Sequence, residues 1–257
     1  MRLDLYLVEN NYFESRNKAK AEIENGNVIV NGKKILKSSF DVSDSDSIEI
    51  TDDICPFVSR GGYKLDYAIK EFNLDFNGKT VLDIGASTGG FTDCSLQHGA
   101  SLVYSVDVGS NQLHQSLREN KKVISLENTN ILDAKNIPYT DFIVMDVSFV
   151  SIEYLLPGIE KYIKDDNSFI CLIKPQFEVG KMNLKGGIVK DRTSYLKVLE
   201  NVNDALASYN LGISKLILSP ILGGSGNKEF LALIKRNVKT NINFISFLGS
   251  VLNDKRA

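Results

Sequence analysis

The chain has 257 residues, of which 43% are hydrophobic, 24% charged and 9% aromatic, and this composition excludes a disordered or collagen-like protein. Thirty Lys and Arg residues against 32 Asp and Glu residues give a net charge of −2, a mild argument against a nucleic-acid partner. The chain has three scattered cysteines and only two histidines, which predicts that it holds no metal site. It has neither a signal-peptide core nor an apolar run long enough to span a membrane, which predicts a soluble cytoplasmic protein.

The first fifty residues predict a compact α+β unit. Ser15 is a suitable N-cap for a helix over Arg16–Glu24, which Gly26 ends. Asn31–Gly32 is typical of a two-residue hairpin turn. The predicted strands of this unit are Val28–Val30, Lys33–Leu36 and Ser47–Thr51. The segment Leu3–Leu7 before the helix is a short apolar run.

From residue 80 onward, apolar strands alternate with helices, which indicates a mainly parallel sheet covered on both faces. The predicted strands are Thr80–Ile84, Leu102–Val106, Val123–Leu126, Phe142–Val147, Phe169–Ile173, Ser214–Leu218 and Glu229–Ile234. The predicted helices are Phe91–Gln97, Asn111–Glu119, Ile152–Ile163 and Arg192–Tyr209. Pro56, Gly61 and Gly62 separate the two patterns. We therefore expect an α+β domain over residues 1–55, a linker over 56–61 and an α/β domain over 62–257.

A glycine-rich turn, Gly85–Gly90, lies directly after one strand and before a helix. In doubly wound sheets, such turns bind ligands at the carboxyl ends of the strands. Asp107 closes the following strand, where a carboxylate can accept hydrogen bonds from both ribose hydroxyls of a nucleoside. The loop lacks the G-x-G-x-x-G spacing of dinucleotide enzymes, because three residues separate Gly85 from Gly89. Its Asp83-Ile-Gly start resembles the first motif of S-adenosylmethionine-dependent methyltransferases, so this cofactor is favoured over NAD.

Four charged residues lie at the ends of predicted elements or beside glycine-rich segments. Asp146 and Lys174 end two predicted parallel strands, at the sheet edge where the ligand is expected. Lys64 follows Ser59-Arg-Gly-Gly-Tyr, and Glu229 follows a glycine-rich segment. Each residue alone is typical of a surface ion pair. Together with the cofactor loop, they predict a catalytic group.

The order Lys64, Asp146, Lys174, Glu229 resembles the Lys-Asp-Lys-Glu tetrad of FtsJ-type ribose 2′-O-methyltransferases. The surrounding strings are similar to those of the TlyA family, bacterial ribosomal-RNA cytidine-2′-O-methyltransferases that are sometimes labelled haemolysins. These strings are Ser59–Lys64, Asp83–Asp93, Lys174–Glu178 and Gly226–Phe230. The N-terminal unit resembles the S4 RNA-binding domain through Arg2-Leu-Asp4, Ser15-Arg16 and the pattern around Val28–Gly32.

The resemblance implies a Rossmann-like class I methyltransferase domain after an S4-type domain. The implied reaction is methylation of a ribose 2′-hydroxyl, of cytidine, in ribosomal RNA of the large subunit, with the small subunit also open. Lys174 would contact and help deprotonate the hydroxyl while Lys64 supplies positive potential, or the two lysines could exchange roles. Asp146 and Glu229 would hold the lysines.

Two further sets of residues follow from the loop and the resemblance. The residues expected to bind S-adenosylmethionine are Asp83, Gly85, Ala86, Ser87, Thr88, Gly89, Gly90, Phe91, Asp107, Asn130 and Asp146. The residues expected to contact RNA phosphates are Arg2, Arg16, Lys18, Lys20 and Arg60. The expected partner is ribosomal RNA within ribosomal subunits, and the sequence leaves the oligomeric state open.

Three other functions compete with this interpretation. A non-catalytic RNA-binding assembly factor would have damage in the tetrad or the loop, and the sequence shows none. An NAD-dependent oxidoreductase would need the dinucleotide spacing, which is absent. Pore formation by a haemolysin would need a membrane-spanning or strongly amphipathic stretch. A methyltransferase is therefore the expected activity.

Overall fold

The structure is a computed structural model that describes residues 1–13, 15–24, 26–51, 55–179, 187–223 and 226–252. The chain divides into two compact units, Met1–Arg60 and Gly61–Ala257. Across the described ranges, no helix is both long enough and apolar enough to cross a membrane.

The first unit packs two helices beside a three-stranded antiparallel sheet in which β1 is central. Its elements are α1 Leu3–Glu9, α2 Arg16–Glu24, β1 Val28–Val30, β2 Lys33–Lys34 and β3 Ile48–Ile50. Ser15 Oγ accepts a hydrogen bond from the Lys18 backbone N–H at 3.2 Å, which confirms the predicted N-cap. The apolar run at the N-terminus forms helix α1, because Leu3 and Leu7 are one turn apart and both are buried.

The second unit is a seven-stranded sheet with helices. Its helices are α3 Gly61–Phe72, α4 Gly90–Gln97, α5 Gln115–Arg118, α6 Ile152–Ile159 (continued by a 3₁₀ turn, Glu160–Tyr162), α7 Pro175–Glu178, α8 Arg192–Ala207 and α9 Phe244–Leu252. Its strands are β4 Thr80–Ile84, β5 Leu102–Val106, β6 Val123–Leu126, β7 Phe142–Met145, β8 Ser168–Ile173, β9 Leu211–Leu218 and β10 Phe230–Arg236.

The strand order is β6-β5-β4-β7-β8-β10-β9. The first five strands in this order are parallel, and β10 is antiparallel to both of its neighbours. The chain proceeds from β4 outward to β6 and then returns to β7 on the other side of β4. This change of direction creates a crevice at the carboxyl ends of β4 and β7, where ligands bind in such sheets. The predicted α/β fold with a mostly parallel sheet is confirmed.

Helix α3 was not predicted, and it begins at Gly61, the last residue of the expected linker 56–61. Both glycines are in the first turn of α3. The helix buries an apolar face that includes Leu65, Ile69 and Phe72, and this burial outweighs the low helix propensity of glycine.

The helix predicted over Asn111–Glu119 is shorter in the structure. Asn111 has a left-handed backbone with φ 57°, and α5 begins only at Gln115, where the His114 side chain accepts a hydrogen bond from the Ser116 backbone N–H. The left-handed conformation, which asparagine adopts more readily than most residues, prevents the helix from starting at Asn111.

Strand β7 ends at Met145 rather than at the predicted Val147. The Asp146 backbone N–H still donates to the Ile84 carbonyl at 3.1 Å. The chain then leaves the sheet, and this places the Asp146 side chain directly at the crevice.

Candidate active site

The structure brings the four predicted catalytic side chains to one edge of the sheet. Asp146 follows β7 and Lys174 follows β8, so both lie at the carboxyl ends of parallel strands. Glu229 immediately precedes β10, and the antiparallel direction of that strand places its start at the same edge. Lys64 reaches the group from helix α3.

The four side chains form a chain of alternating charges. Lys174 Nζ lies 2.5 Å from Asp146 Oδ1, and Lys64 Nζ lies 3.9 Å from Asp146 Oδ2. Lys64 Nζ also donates to Glu229 Oε2 at 2.7 Å. The tetrad therefore holds two positive and two negative charges, and Asp146 is shared between the two lysines.

The tetrad is largely removed from solvent. The Glu229 side chain is 2% exposed and the Lys64 side chain 9%, while Lys174 and Asp146 are 11% and 19% exposed. Buried charges require partners, because an unpaired ion in the protein interior is costly. Asp146, at 19%, is the most exposed of the four side chains.

A cleft of about 400 Å³ lies at the switch point of the sheet. Five of the residues predicted to bind the cofactor line it, namely Gly85, Ser87, Asp107, Asn130 and Asp146. The other predicted cofactor residues do not line it, namely Asp83, Ala86, Thr88, Gly89, Gly90 and Phe91. Asp146 therefore belongs to both the cleft and the tetrad.

The carboxylate of Asp107 is held by the backbone of two loops. Its Oδ2 accepts the Ser87 N–H at 2.7 Å and its Oδ1 accepts the Gly109 N–H at 2.7 Å. Gly85 has φ 81°, and a Cβ atom at this position would lie 2.8 Å from the Asp146 carbonyl oxygen. A glycine is needed at residue 85 because the loop after β4 passes directly over the end of β7.

Asp83 is fully buried beneath the glycine loop. Its Oδ2 accepts the Thr92 hydroxyl at 2.6 Å, and Thr92 is also bonded to Ser105 at 2.7 Å. Burial raises the pKa of Asp83 to about 7. The carboxyl group therefore supports the strand β4–helix α4 connection from below.

In the first unit, two of the predicted RNA-contacting residues share a buried carboxylate. Asp4 is 0% exposed and accepts hydrogen bonds from Arg2 Nε at 2.9 Å and from Arg16 Nε at 2.8 Å. The Arg2 guanidinium holds the pKa of Asp4 well below its usual range, with Arg16 acting in the same sense. Lys18 pairs with Glu22 at 3.1 Å. Lys20 and Arg60, the two remaining predicted contacts, are half-buried.

Several residues that contact the tetrad were not singled out from the sequence. Ser148 Oγ accepts a hydrogen bond from Lys174 Nζ at 2.8 Å, and Gln176 Nε2 donates to Glu229 Oε1 at 3.0 Å. The Phe177 ring lies beside Lys174, with its centroid 5.9 Å from Lys174 Nζ. Phe149, which is 90% exposed, packs on Phe177 with ring centroids 5.0 Å apart and does not itself contact the tetrad in the described contacts. The signal in the sequence that could have identified these residues is their position just after Asp146 or Lys174.

Glu178, the last residue of the segment Lys174–Glu178, supports the start of helix α6. Its Oε1 accepts the Ile152 backbone N–H at 3.0 Å. Burial raises the pKa of Glu178 to about 7. The segment Lys174–Glu178 therefore also fixes the loop after β7.

The chain resembles known proteins over nearly its whole length. A family model for FtsJ-like methyltransferases matches residues 57–236, and one for the S4 domain matches residues 1–48. The protein named Hemolysin A from Brachyspira hyodysenteriae is 43% identical over 237 residues, which cover 90% of this chain and 98% of that protein. The 23S rRNA (cytidine-2′-O)-methyltransferase TlyA of Campylobacter jejuni is 36% identical over 258 residues, which cover 92% of this chain and 100% of that protein.

A solved structure described as a candidate hemolysin of Streptococcus thermophilus is 37% identical and covers 97% of this chain and 94% of its own, with a TM-score of 0.77. The FtsJ-like match extends over more than half of the chain and contains all four tetrad residues. The predicted methyltransferase activity and S4-type domain are thereby confirmed, and the chain belongs to the TlyA family of FtsJ-like methyltransferases with an N-terminal S4 domain.

Proposed function

We propose that this protein transfers a methyl group from S-adenosylmethionine to the ribose 2′-hydroxyl of a cytidine in ribosomal RNA. The observation that carries the proposal is the tetrad of two lysines and two carboxylates next to a cleft at the switch point of the sheet. The relatives named as ribosomal RNA cytidine-2′-O-methyltransferases support the choice of RNA and cytidine.

The residues of the cleft fit S-adenosylmethionine. Its volume of about 400 Å³ is in the range of small-molecule sites, about 300–1,000 Å³. The Asp107 carboxylate, fixed by the Ser87 and Gly109 amides, has lone pairs left for ribose hydroxyls. Asn130 lies in the same cleft. When bound, the cofactor supplies a methyl group on a positively charged sulfur, which is already activated for displacement.

Lys174 is the residue that we place at the reacting hydroxyl. Asp146 and Ser148, its two partners, both line the cleft. They hold the Lys174 amine in one position, as general acid–base catalysis requires. To act as the base, Lys174 first has to release its ammonium proton, and its amine would then accept the hydroxyl proton. The hydroxyl oxygen would form the new bond to the methyl carbon as the carbon–sulfur bond breaks, and the sulfur would leave as a neutral thioether.

Lys64 and Glu229 form the fixed part of the site. Lys64 Nζ lies between Asp146 and Glu229, where its positive charge stabilises the negative charge that develops on the attacking oxygen. Glu229 keeps Lys64 in place.

We propose residues 1–55 as the RNA-binding domain, 56–61 as the linker and 62–257 as the methyltransferase domain. The match of the S4 model to residues 1–48 supports the first of these assignments. Arg2 and Arg16 remain 41% and 46% exposed while bound to Asp4, so their guanidinium groups are accessible to phosphates. Ribosomal RNA in its folded subunit is the proposed substrate, because shape recognition can add to a small number of ionic contacts.

The test uses purified protein, tritiated S-adenosylmethionine, and 30S and 50S subunits from cells that lack this methylation. Lys174→Met is the catalytic variant, and Lys70→Met is its control because Lys70 is an exposed lysine paired with Asp66 on α3. We expect label in ribosomal RNA with the wild type and with Lys70→Met only. The labelled linkage should resist alkali, since methylation removes the hydroxyl that attacks the phosphate.

Alkali-sensitive label would mean that a base rather than a ribose is methylated, and would overturn the 2′-O assignment. Cofactor binding without label in either subunit would reject ribosomal RNA as the substrate and favour a non-catalytic assembly factor.

A further inference from the structure

We propose that Gln176 is a positioning residue of the methyl-transfer site, acting through Glu229 on Lys64. The proposal rests on the proposed function, because it assigns a role in the same tetrad. Gln176 is two residues after Lys174, and its side-chain amide contacts the opposite end of the tetrad.

The two oxygens of Glu229 have different partners. Oε2 accepts from Lys64 Nζ at 2.7 Å, and Oε1 accepts from Gln176 Nε2 at 3.0 Å. A charged carboxylate that is 2% exposed needs hydrogen bonds in place of the water it has lost. Gln176 therefore fixes the carboxylate orientation that Lys64 requires.

The chemistry of the pair fixes the orientation of the amide. A carboxylate only accepts hydrogen bonds, so the NH₂ group of Gln176 has to face Glu229. The Gln176 Oε1 atom is buried and has no hydrogen-bond partner within the described part of the chain. Leaving a buried acceptor unpaired is costly. The described hydrogen bond of the Gln176 amide is therefore the one that its NH₂ group donates to Glu229.

The neighbouring backbone confines the Glu229 carboxylate further. A Cβ atom at Gly223 would lie 2.3 Å from Glu229 Oε1, so the chain passes directly against this oxygen. Rotation of the carboxylate towards Gly223 is blocked. The hydrogen bond from the Gln176 amide then holds the Glu229 carboxylate in the orientation that remains.

Gln176 also closes the tetrad into a ring. The ring runs from Lys174 to Asp146, Lys64, Glu229 and Gln176, and it returns to Lys174 through Pro175. Pro175 is buried and is the first residue of α7, where its ring restricts the backbone. The spacing between the proposed proton acceptor and the donor to Glu229 is therefore rigid.

The test is a double-mutant cycle with Gln176→Met and Glu229→Gln. Methionine has a length similar to glutamine but no amide donor. We measure the single-turnover rate of methyl transfer to RNA and the dissociation constant of S-adenosylmethionine. Gln176→Met should lower the rate by about 10- to 100-fold and change cofactor affinity by less than about 3-fold. In the Glu229→Gln background, the same change should cost less than about 3-fold.

Gln115→Met is the matched control, because Gln115 Nε2 donates to Glu119 Oε1 at 2.7 Å on an exposed helix. This variant should retain the wild-type rate. Gln176→Asn, which keeps the amide on a shorter side chain, should fall between wild type and Gln176→Met, and it replaces the latter if that variant does not fold.

Equal losses in both backgrounds, or a normal rate for Gln176→Met, would overturn the positioning role. A crystal structure of Gln176→Met gives a readout that does not depend on the substrate. We expect the Glu229 carboxylate to turn away from Lys64, and an unchanged 2.7 Å contact would reject the proposal even if ribosomal RNA proved to be the wrong substrate. Failure of the wild type to methylate RNA, with Glu229 displaced in the variant, would reject only the proposed function.

Discussion

Lys174 Nζ lies 2.5 Å from Asp146 Oδ1, and the two residues follow adjacent parallel strands, β8 and β7. Asp146 also lines the cleft at the switch point of the sheet, so a single carboxylate contacts both the proposed proton acceptor and the proposed site of the methyl donor. In the proposed mechanism, displacement of Asp146 would therefore disturb both cofactor binding and catalysis.

Loss of either lysine amine should strongly lower turnover without loss of cofactor binding. Lys174→Met and Lys64→Met should each lower kcat by at least about 100-fold, since each removes either the proton acceptor or the positive potential near the hydroxyl. The measurement is methyl transfer from tritiated cofactor, alongside calorimetric binding of S-adenosylmethionine. Near-normal turnover in both variants would contradict the catalytic assignment.

Asp107→Asn should weaken cofactor binding. The change keeps the shape of the side chain but removes the charge that strengthens hydrogen bonds from ribose hydroxyls. We expect the dissociation constant of S-adenosylmethionine to rise by about tenfold or more, an effect that equilibrium dialysis can measure. Asp133→Asn, at an exposed position, is the control, and an equal effect there would reject the assignment.

Gly85→Ala should be more harmful than a glycine replacement at an open position. Gly78 and Gly85 both have left-handed backbones, with φ 71° and 81°, but only at Gly85 would a Cβ atom meet other atoms within 4 Å. Gly78→Ala should cost about 1–2 kcal/mol of unfolding free energy from backbone strain alone. Gly85→Ala should cost more and also reduce cofactor binding. Equal losses in denaturant titrations would contradict this explanation.

Asp4→Asn should weaken RNA binding although it removes a negative charge. Long-range electrostatics alone predicts tighter binding, but the neutral side chain would hold Arg2 and Arg16 less firmly than the buried carboxylate does. We expect a loss of about 3- to 10-fold in filter binding at fixed salt. Asp44→Asn removes an exposed charge and should not weaken binding. Tighter binding by Asp4→Asn would show that the arginines need no such support.

Asp83 should make stability depend on pH. Its pKa is raised from 3.8 to about 7 by burial, so between these values the folded chain binds more protons at this site than the unfolded chain. Its contribution to the unfolding free energy therefore falls as pH rises from about 4 to 7, by at most about 1.4 kcal/mol per pH unit, and is constant above that range.

Asp83→Asn should remove this contribution. The difference in unfolding free energy between the variant and the wild type, measured by denaturant titration at several pH values, should increase in favour of the variant from pH 5 to pH 7. Glu178 is unchanged in both proteins and cancels in the difference. A pH-independent difference would mean that Asp83 has an ordinary pKa in the folded protein.

The sequence predicted the elements whose signals are local. The strands over 80–84, 102–106 and 123–126 have the predicted bounds, because short apolar-rich runs bounded by turn and polar residues specify strands. Helix α3 was missed because its start carries two glycines, and α9 was missed because its apolar residues pack on α8. Packing stabilises both helices, but a local pattern was present in α3, because Leu65, Ile69 and Phe72 have the i, i+4, i+7 spacing of a helix with one buried face.

For the site, the order Lys64, Asp146, Lys174, Glu229 in the sequence was enough to identify the four residues of the tetrad. Lys64 and Glu229 are 165 residues apart, so only the antiparallel placement of β10 could decide that they meet at 2.7 Å. The tertiary structure alone showed that Gln176 and Ser148 bind the tetrad, and that Asp83 lies beneath the glycine loop and not in the cleft. Sequence specifies residue chemistry and local conformation, whereas contacts between distant segments depend on strand order and packing.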